Sequence, residues 1–235
     1  MNKYHQEILT MDKNAGLNED DKNCAINAQT YNNCAQRYQD KFMEADLYND
    51  TYDLFCSRVE NKTANILEIG CGPGNVTRYL LAKHPGFKIH GIDLAERMIA
   101  LAKVNNPQAT YEVMDCRDIG QIKQQYDAII CSFCLPYISK EAAADLISDA
   151  ASLLNLNGIL YLSNMEDDYS QSGLKGSSTS PDKLYMYYHQ ADFLKDTLAD
   201  NGFSVIDLLR QEYPEENAPQ GKVSVTTDLF IIAKN

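Results

Sequence analysis

The sequence predicts an α/β fold, a mostly parallel and doubly wound sheet with helices on both faces. Three observations carry this. From residue 65 onward, apolar runs of strand length near 66–70, 87–92, 109–114, 126–132 and 158–163 alternate with helical patterns near 75–84, 95–104 and 140–154. Such alternation implies parallel strands joined by crossover helices. The first of these runs, Ile66-Leu67-Glu68-Ile69, enters three glycines at alternate positions, Gly70, Gly72 and Gly74, and a helical segment, Val76 to Lys83, follows at once. This is a strand–turn–helix unit whose turn lacks side chains where a ligand would touch backbone, and amides at the start of a helix favour polar or anionic groups. Finally, 235 residues with 44% hydrophobic and 23% charged side chains form an ordinary globular composition sufficient for one domain.

The elements follow in order. Residues 1–29 are polar and poorly patterned, which predicts a loosely ordered arm. Residues 30–60 read as a helical cap: Tyr31, Ala35, Tyr38 and Phe42 recur at three- to four-residue spacing, then Leu47, Tyr52, Phe55 and Val59. Residues 65–164 hold the five strand-like runs. Residues 165–188 break the pattern with Gly173, Gly176 and the run Ser177-Ser178-Thr179-Ser180-Pro181, and are expected to form an irregular loop or lid. Residues 189–235 supply a helix near 191–201, stopped by Gly202, and two strand-like runs, 204–210 and 223–233, joined by a Pro- and Glu-rich loop. The whole of 30–235 reads as a single domain.

The glycine turn separates two kinds of nucleotide-cofactor site. A dinucleotide fingerprint, G-x-G-x-x-G, needs a glycine at position 75, where this chain has Asn75. The pattern over 68–74 is instead E-x-G-x-G-x-G. Asp93 ends the second strand 19 positions after Gly74, and a carboxylate there can accept two hydrogen bonds from a vicinal diol. Leu94-Ala95-Glu96-Arg97-Met98 follows, with Ala95 where a capping Ser is usual. Then come Tyr111 to Cys116 with Asp115 at a strand end, Tyr126-Asp127 opening a strand that leads to Ser132-Phe133, and Leu153 to Leu162 with Gly158 at a turn. On these five motifs, in this order, the chain resembles the class I S-adenosylmethionine-dependent methyltransferases of small-molecule type.

That resemblance implies a Rossmann-like sheet of seven strands, the last antiparallel, and S-adenosyl-L-methionine as cofactor. It implies that Glu68, Gly70, Cys71, Gly72, Gly74 and Asn75 form the first cofactor motif, that Asp93 holds the ribose with Leu94 and Met98 beside it, and that Asp115 and Cys116 face the adenine. Ser132 falls near the sulfonium methyl. An N-terminal helix bearing Tyr31 and Tyr38 folds over the cofactor in many members, with packing against the core as the other reading of either ring.

Composition narrows the acceptor. The formal net charge of −12 and the lack of a basic cluster argue against DNA, tRNA or rRNA. No apolar run approaches the ~20 residues that span a bilayer. The polar N-terminus and seven scattered cysteines suit a reducing cytoplasm. Cys131-x-x-Cys134 lacks a second Cys/His pair and reads as buried thiols, so no metal is expected. Cys134-Leu135-Pro136-Tyr137 lacks the side-chain carbonyl and first proline of enzymes that methylate planar amino groups. The expected activity is therefore methyl transfer to a small-molecule acceptor by in-line displacement. His189 is the one histidine placed for acid–base work, and capping or packing is its alternative role. Two other classes stay open: an NAD(P)-dependent oxidoreductase, and a non-catalytic S-adenosylmethionine-binding protein. Oligomeric state is not legible.

Overall fold

A computed structural model of the protein describes residues 18–177, 180–214 and 225–235. Five apolar runs become the parallel strands β1 (Asn65–Ile69), β2 (Lys88–Asp93), β3 (Thr110–Val113), β4 (Tyr126–Cys131) and β5 (Leu154–Glu166). Their order in a seven-stranded sheet is β3-β2-β1-β4-β5, continued by β9 (Val225–Lys234) and β8 (Ser204–Pro214) at the edge. β9 runs antiparallel to both β5 and β8, as the resemblance implies. Strand order reverses between β1 and β4, which opens a crevice at their carboxyl ends.

Helices α1 (Glu19–Phe42), α2 (Asn49–Arg58), α3 (Asn75–Lys83), α4 (Glu96–Asn105), α5 (Lys140–Leu153) and α6 (Ala191–Asp200) cover the sheet. On one face Ile66, Ile130, Tyr161 and Phe230 pack against Phe55 of α2 and Leu80 of α3. On the other, Leu67, Ile129, Leu160 and Ile231 pack against Leu146 of α5 and Leu194 of α6. With both faces covered, the central strands read as continuous apolar runs. α6 ends as the sequence indicates, with Gly202 at φ +83° and the Phe203 amide donating to the Leu198 carbonyl. The turn expected at Gly158 falls inside β5 and differs from expectation. Asn157, not Gly158, takes the left-handed backbone (φ +64°), and a Cβ on Gly158 would lie 2.8 Å from the Asn155 carbonyl.

Two expectations are corrected. The arm over 1–29 is not loosely ordered throughout: α1 begins at Glu19, capped by Asn18, whose side chain accepts from the Asp21 amide at 2.8 Å. Residues 1–17, with His5, lie outside the described residues. The segment 165–188 is not an irregular loop: β6 (Gly173–Gly176) and β7 (Lys183–Met186) pair antiparallel as a hairpin. Residues 178–179 of the serine-rich run, and 215–224 of the Pro- and Glu-rich loop, are outside the described residues.

Both corrections have one cause, a polar seam between α1 and β7. Asn27 donates to the Tyr185 carbonyl at 2.9 Å and accepts from the Tyr185 amide at 2.8 Å, so its amide pairs with β7 as another strand would. Thr30 donates to the Lys183 carbonyl at 3.0 Å, and Asn23 to the Tyr187 hydroxyl at 2.9 Å. These residues recur every three to four positions on one helix face, yet they are polar, so no apolar period reveals the face. Asn27→Ala should strand a part-buried amide and carbonyl of Tyr185, lowering stability by about 2 kcal/mol, at the low end of ~1–3 kcal/mol per lost partner. Urea denaturation measures this, and an unchanged unfolding free energy would contradict the seam's structural role.

Candidate active site

The turn leaving β1 is built by backbone that L side chains rarely adopt. Gly70 and Gly74 have φ of +69° and +84°. A Cβ on Gly70 would lie 3.0 Å from Cys134 Cβ, and one on Gly74 2.4 Å from Asn106 Nδ2. These two positions are closed by their neighbours. Gly72 is different: nothing lies nearer than 3.8 Å to the place its Cβ would occupy, and Tyr38 Cε1 is one of the two atoms at that distance. The turn is thus open above Gly72, with Tyr38 as its roof. Gly74 also caps α3 and offers no side-chain acceptor, so the first amides of α3 keep their donors free of a cap.

Asp93 fixes this turn to the next one. Its Oδ2 accepts from the Gly72 amide at 2.9 Å, and its Oδ1 from the Ala95 amide at 2.8 Å. Each oxygen keeps a further lone pair, enough to accept a vicinal diol as well. Burial pushes the carboxyl up to about 6 although both amides favour the charged form. α4 starts at Ala95 without a side-chain cap. Asn32 of α1 supplies the missing acceptor, taking the Arg97 amide at 3.0 Å.

α1 therefore crosses the crevice. Tyr31 lies edge-on to Tyr38 (5.8 Å between centroids) and to Tyr137 (5.3 Å), and its hydroxyl bonds that of Tyr137. All three rings are half-buried. The far end of α1 is held by Arg117, which pairs with Asp21 at 2.8 Å and with Asp115 at 2.7 Å. Arg117 Nε and the Arg117 amide also donate to Asp115. The acid expected to face an adenine thus already has a cationic partner, and any further donor must share its oxygens. Cys116 is half-buried beside Cys134. Ser132 exchanges a hydrogen bond with the Tyr52 hydroxyl at 3.0 Å. Leu94 and Asn75 are both partly exposed at the two turns.

The side chains of four expected site residues are buried away from the Gly72 opening. Met98 is 1% exposed, packed with Ala35 and Ala95 beneath α1, and belongs to the core. The Cys71 side chain is buried among Ile99, Ala102 and Tyr111, leaving only its backbone at the turn. Glu68, 1% exposed, lies under the turn and takes a hydrogen bond from the Thr77 hydroxyl. Its carboxyl is pushed by burial from the ordinary 4.5 to about 8. His189 is not an acid–base residue of the crevice. Its ring is fully buried and Nε2 faces the carbonyls of Leu135 and Ile138 at 3.0 and 3.1 Å, which pins the loop after β4. Burial lowers its proton affinity, so the imidazole is neutral at physiological pH.

Asn32 and Arg117 escaped the sequence reading because each acts across elements remote in the chain. The residues that surround the Gly72 opening suit an adenosyl group bearing a diol and a charged tail: an open backbone cradle, a carboxylate with spare lone pairs, uncapped amides and an aromatic roof.

The chain is similar to several known proteins. A methyltransferase-domain family model matches residues 66–158. The malonyl-[acyl-carrier protein] O-methyltransferase of Bacillus anthracis is 35% identical over 114 residues, 47% of this chain and 41% of its own. The trans-aconitate 2-methyltransferase of Enterobacter sp. (strain 638) is 34% identical over 99 residues, 41% of this chain and 37% of its own. The matched region thus spans less than half of these curated relatives. Among solved structures, the magnesium protoporphyrin IX methyltransferase of Synechocystis PCC 6803 shares the fold with a TM-score of 0.62 at 19% identity, over 94% of this chain and 100% of that one.

Glu68 gives a test of the buried floor. Its folded value lies above its unfolded one, so folding takes up a proton. The resulting stability is full below pH 4.5 and is lost as pH rises through about 8. Glu68→Gln, neutral at every pH, should gain on the wild type steadily between about pH 5 and 8. Parallel unfolding curves across that window would show that Glu68 is ionised in the folded protein.

Proposed function

We propose that the chain, whose residues 66–158 match a methyltransferase-domain family model, is a class I S-adenosylmethionine-dependent methyltransferase that binds S-adenosylmethionine at the carboxyl ends of β1 to β4 and methylates a small-molecule acceptor. The observation that carries this reading is Asp93 holding the Gly72 and Ala95 amides beside an open turn. Asp93 would accept the ribose diol. Gly70, Gly72, Gly74 and Asn75 would meet the polar tail with backbone and the start of α3. Asp115, with Cys116 and Leu94, would border the adenine, and Tyr31 and Tyr38 would roof the cleft.

The sulfonium supplies an electrophilic methyl with a good leaving group, so little covalent help is needed. The protein's tasks are alignment and exclusion of water. α1 and the β6–β7 hairpin, joined by their polar seam, are the elements that do this, and the hairpin meets the loop after β4 through the Tyr187 amide on the Pro136 carbonyl at 2.7 Å. The trans-aconitate acceptor of one curated relative and the net charge of −12 support a small acceptor over a nucleic acid. No helix among the described residues is long and apolar enough to cross a membrane, and seven free thiols fit a cytoplasmic setting.

Calorimetry should show S-adenosylhomocysteine and S-adenosylmethionine binding more tightly than NAD, FAD or ATP, and Asp93→Ala should weaken them tenfold or more, about 1.4 kcal/mol. Because Asp93 also tethers two turns, the variant should lose stability without ligand too. Tighter binding of NAD than of S-adenosylhomocysteine would favour an oxidoreductase. Amide exchange should slow in 30–42 and 165–188 when S-adenosylhomocysteine binds, and identical exchange would remove the closing role of these segments.

A further inference from the structure

A carboxylate that the site above does not use lies at the same end of the sheet. Asp228, near the start of β9, is 1% exposed. It pairs with Met165 at the carboxyl end of β5, because β9 runs antiparallel. Oδ2 accepts from the Tyr48 hydroxyl at 2.6 Å, while Oδ1, also buried, has no hydrogen-bond partner among the described residues. Burial pushes this carboxyl up to about 6, against the opposing effect of Tyr48. The next residues on the same face of β9 are Phe230 and Ile232, both core. Packing alone calls for an apolar side chain here, and an unpaired buried acceptor is unfavourable.

The surroundings point the same way. The Tyr48 ring lies 4.9 Å from Phe133 and 5.4 Å from Phe230, and Phe133 lies 5.9 Å from Phe230, edge to face. Phe133 holds φ +52°, a conformation unfavourable for a bulky side chain and found mostly where function demands it. Its amide is held by Ser163 Oγ at 2.9 Å. Phe133 directly follows Ser132, which the resemblance puts at the methyl end of the cofactor. Tyr48 and Phe133 are only half-buried, and Tyr48 joins Asp228 to this partly exposed pair through its hydroxyl.

A carboxylate only accepts hydrogen bonds, and aromatic faces favour apolar or cationic partners over anions. We infer that Asp228, walled by Tyr48, Phe133 and Phe230, is the acceptor subsite, and that the acceptor carries a hydroxyl or amino donor on an apolar body and no carboxylate at that point. The inference rests on the methyltransferase reading.

The test uses the full chain saturated with S-adenosylhomocysteine and three probes, phenol, benzylamine and benzoate, titrated by NMR. Phenol or benzylamine should bind at roughly millimolar concentration, with benzoate at least tenfold weaker. The tighter of the first two identifies a hydroxyl or an amine. Asp228→Asn should weaken the tighter probe tenfold and narrow the gap to benzoate, with S-adenosylhomocysteine affinity unchanged. In the wild type, the Asp228 carboxyl carbon should titrate near 6 and move lower on adding whichever of phenol and benzylamine binds more tightly, a readout independent of whether the variant folds. Benzoate binding as tightly as that probe, no probe binding, an indifferent Asp228→Asn, or an Asp228 titration that the tighter probe leaves unmoved would each overturn the inference. Wild-type protein that fails to bind S-adenosylhomocysteine would overturn the methyltransferase reading instead.

Discussion

One carboxylate organises the crevice. Asp93 ends β2, yet its two oxygens hold the amide of Gly72 in the turn after β1 and the amide of Ala95 at the start of α4. Neither α3 nor α4 carries a side-chain cap of its own, so the geometry of both helix starts depends on this bridge and on the glycine backbone. The bridge also explains why a half-buried acid is tolerated: two backbone donors offset part of the desolvation that raises its proton affinity. Once the two turns are joined, the space over Gly72 has a defined floor, and the lone pairs left on Asp93 point to what it can accept.

Everything above that floor is tied on by α1. Asn32 caps α4, Tyr31 meets Tyr137, and Arg117 links Asp21 to Asp115. Asp20 receives the hydroxyls of Tyr187, at 2.8 Å, and of Ser139. The seam of Asn23, Asn27 and Thr30 joins the β6–β7 hairpin to the same helix. Polar contacts of this kind are directional and leave costly orphans when broken, so they specify one docking geometry where an apolar stripe would allow several. A covering layer attached in this manner hangs on a single helix, which is what the proposed closure over cofactor and acceptor requires.

The parallel sheet was legible because its strands are buried on both faces and therefore written in Ile, Leu, Val and Cys, with glycine where backbone must turn left-handed. Asp93 was legible through its distance from the glycines. What escaped was written in polar residues or in long-range contacts. The first half of α1 shows no apolar period because its buried face is Asn and Thr. The 165–188 segment has few strand formers, and its hairpin is held partly by a helix more than 150 residues away in sequence. His189 and Met98 carry residue types suited to function, but tertiary packing turns one into a loop pin and the other into core. Asp228 left a faint trace, a charge at the head of the continuous apolar run Leu229 to Ala233, and only the fold shows that its own position is interior.

A crystal structure of the protein with S-adenosylhomocysteine tests the central claim most directly. The account places the ribose hydroxyls on Asp93, the tail against the Gly70–Asn75 turn, and the sulfur toward Ser132 and Phe133, with Tyr31 and Tyr38 covering the ligand. A nucleoside bound with Asp93 still occupied only by the Gly72 and Ala95 amides, or seated away from the carboxyl ends of β1 and β2, would contradict it.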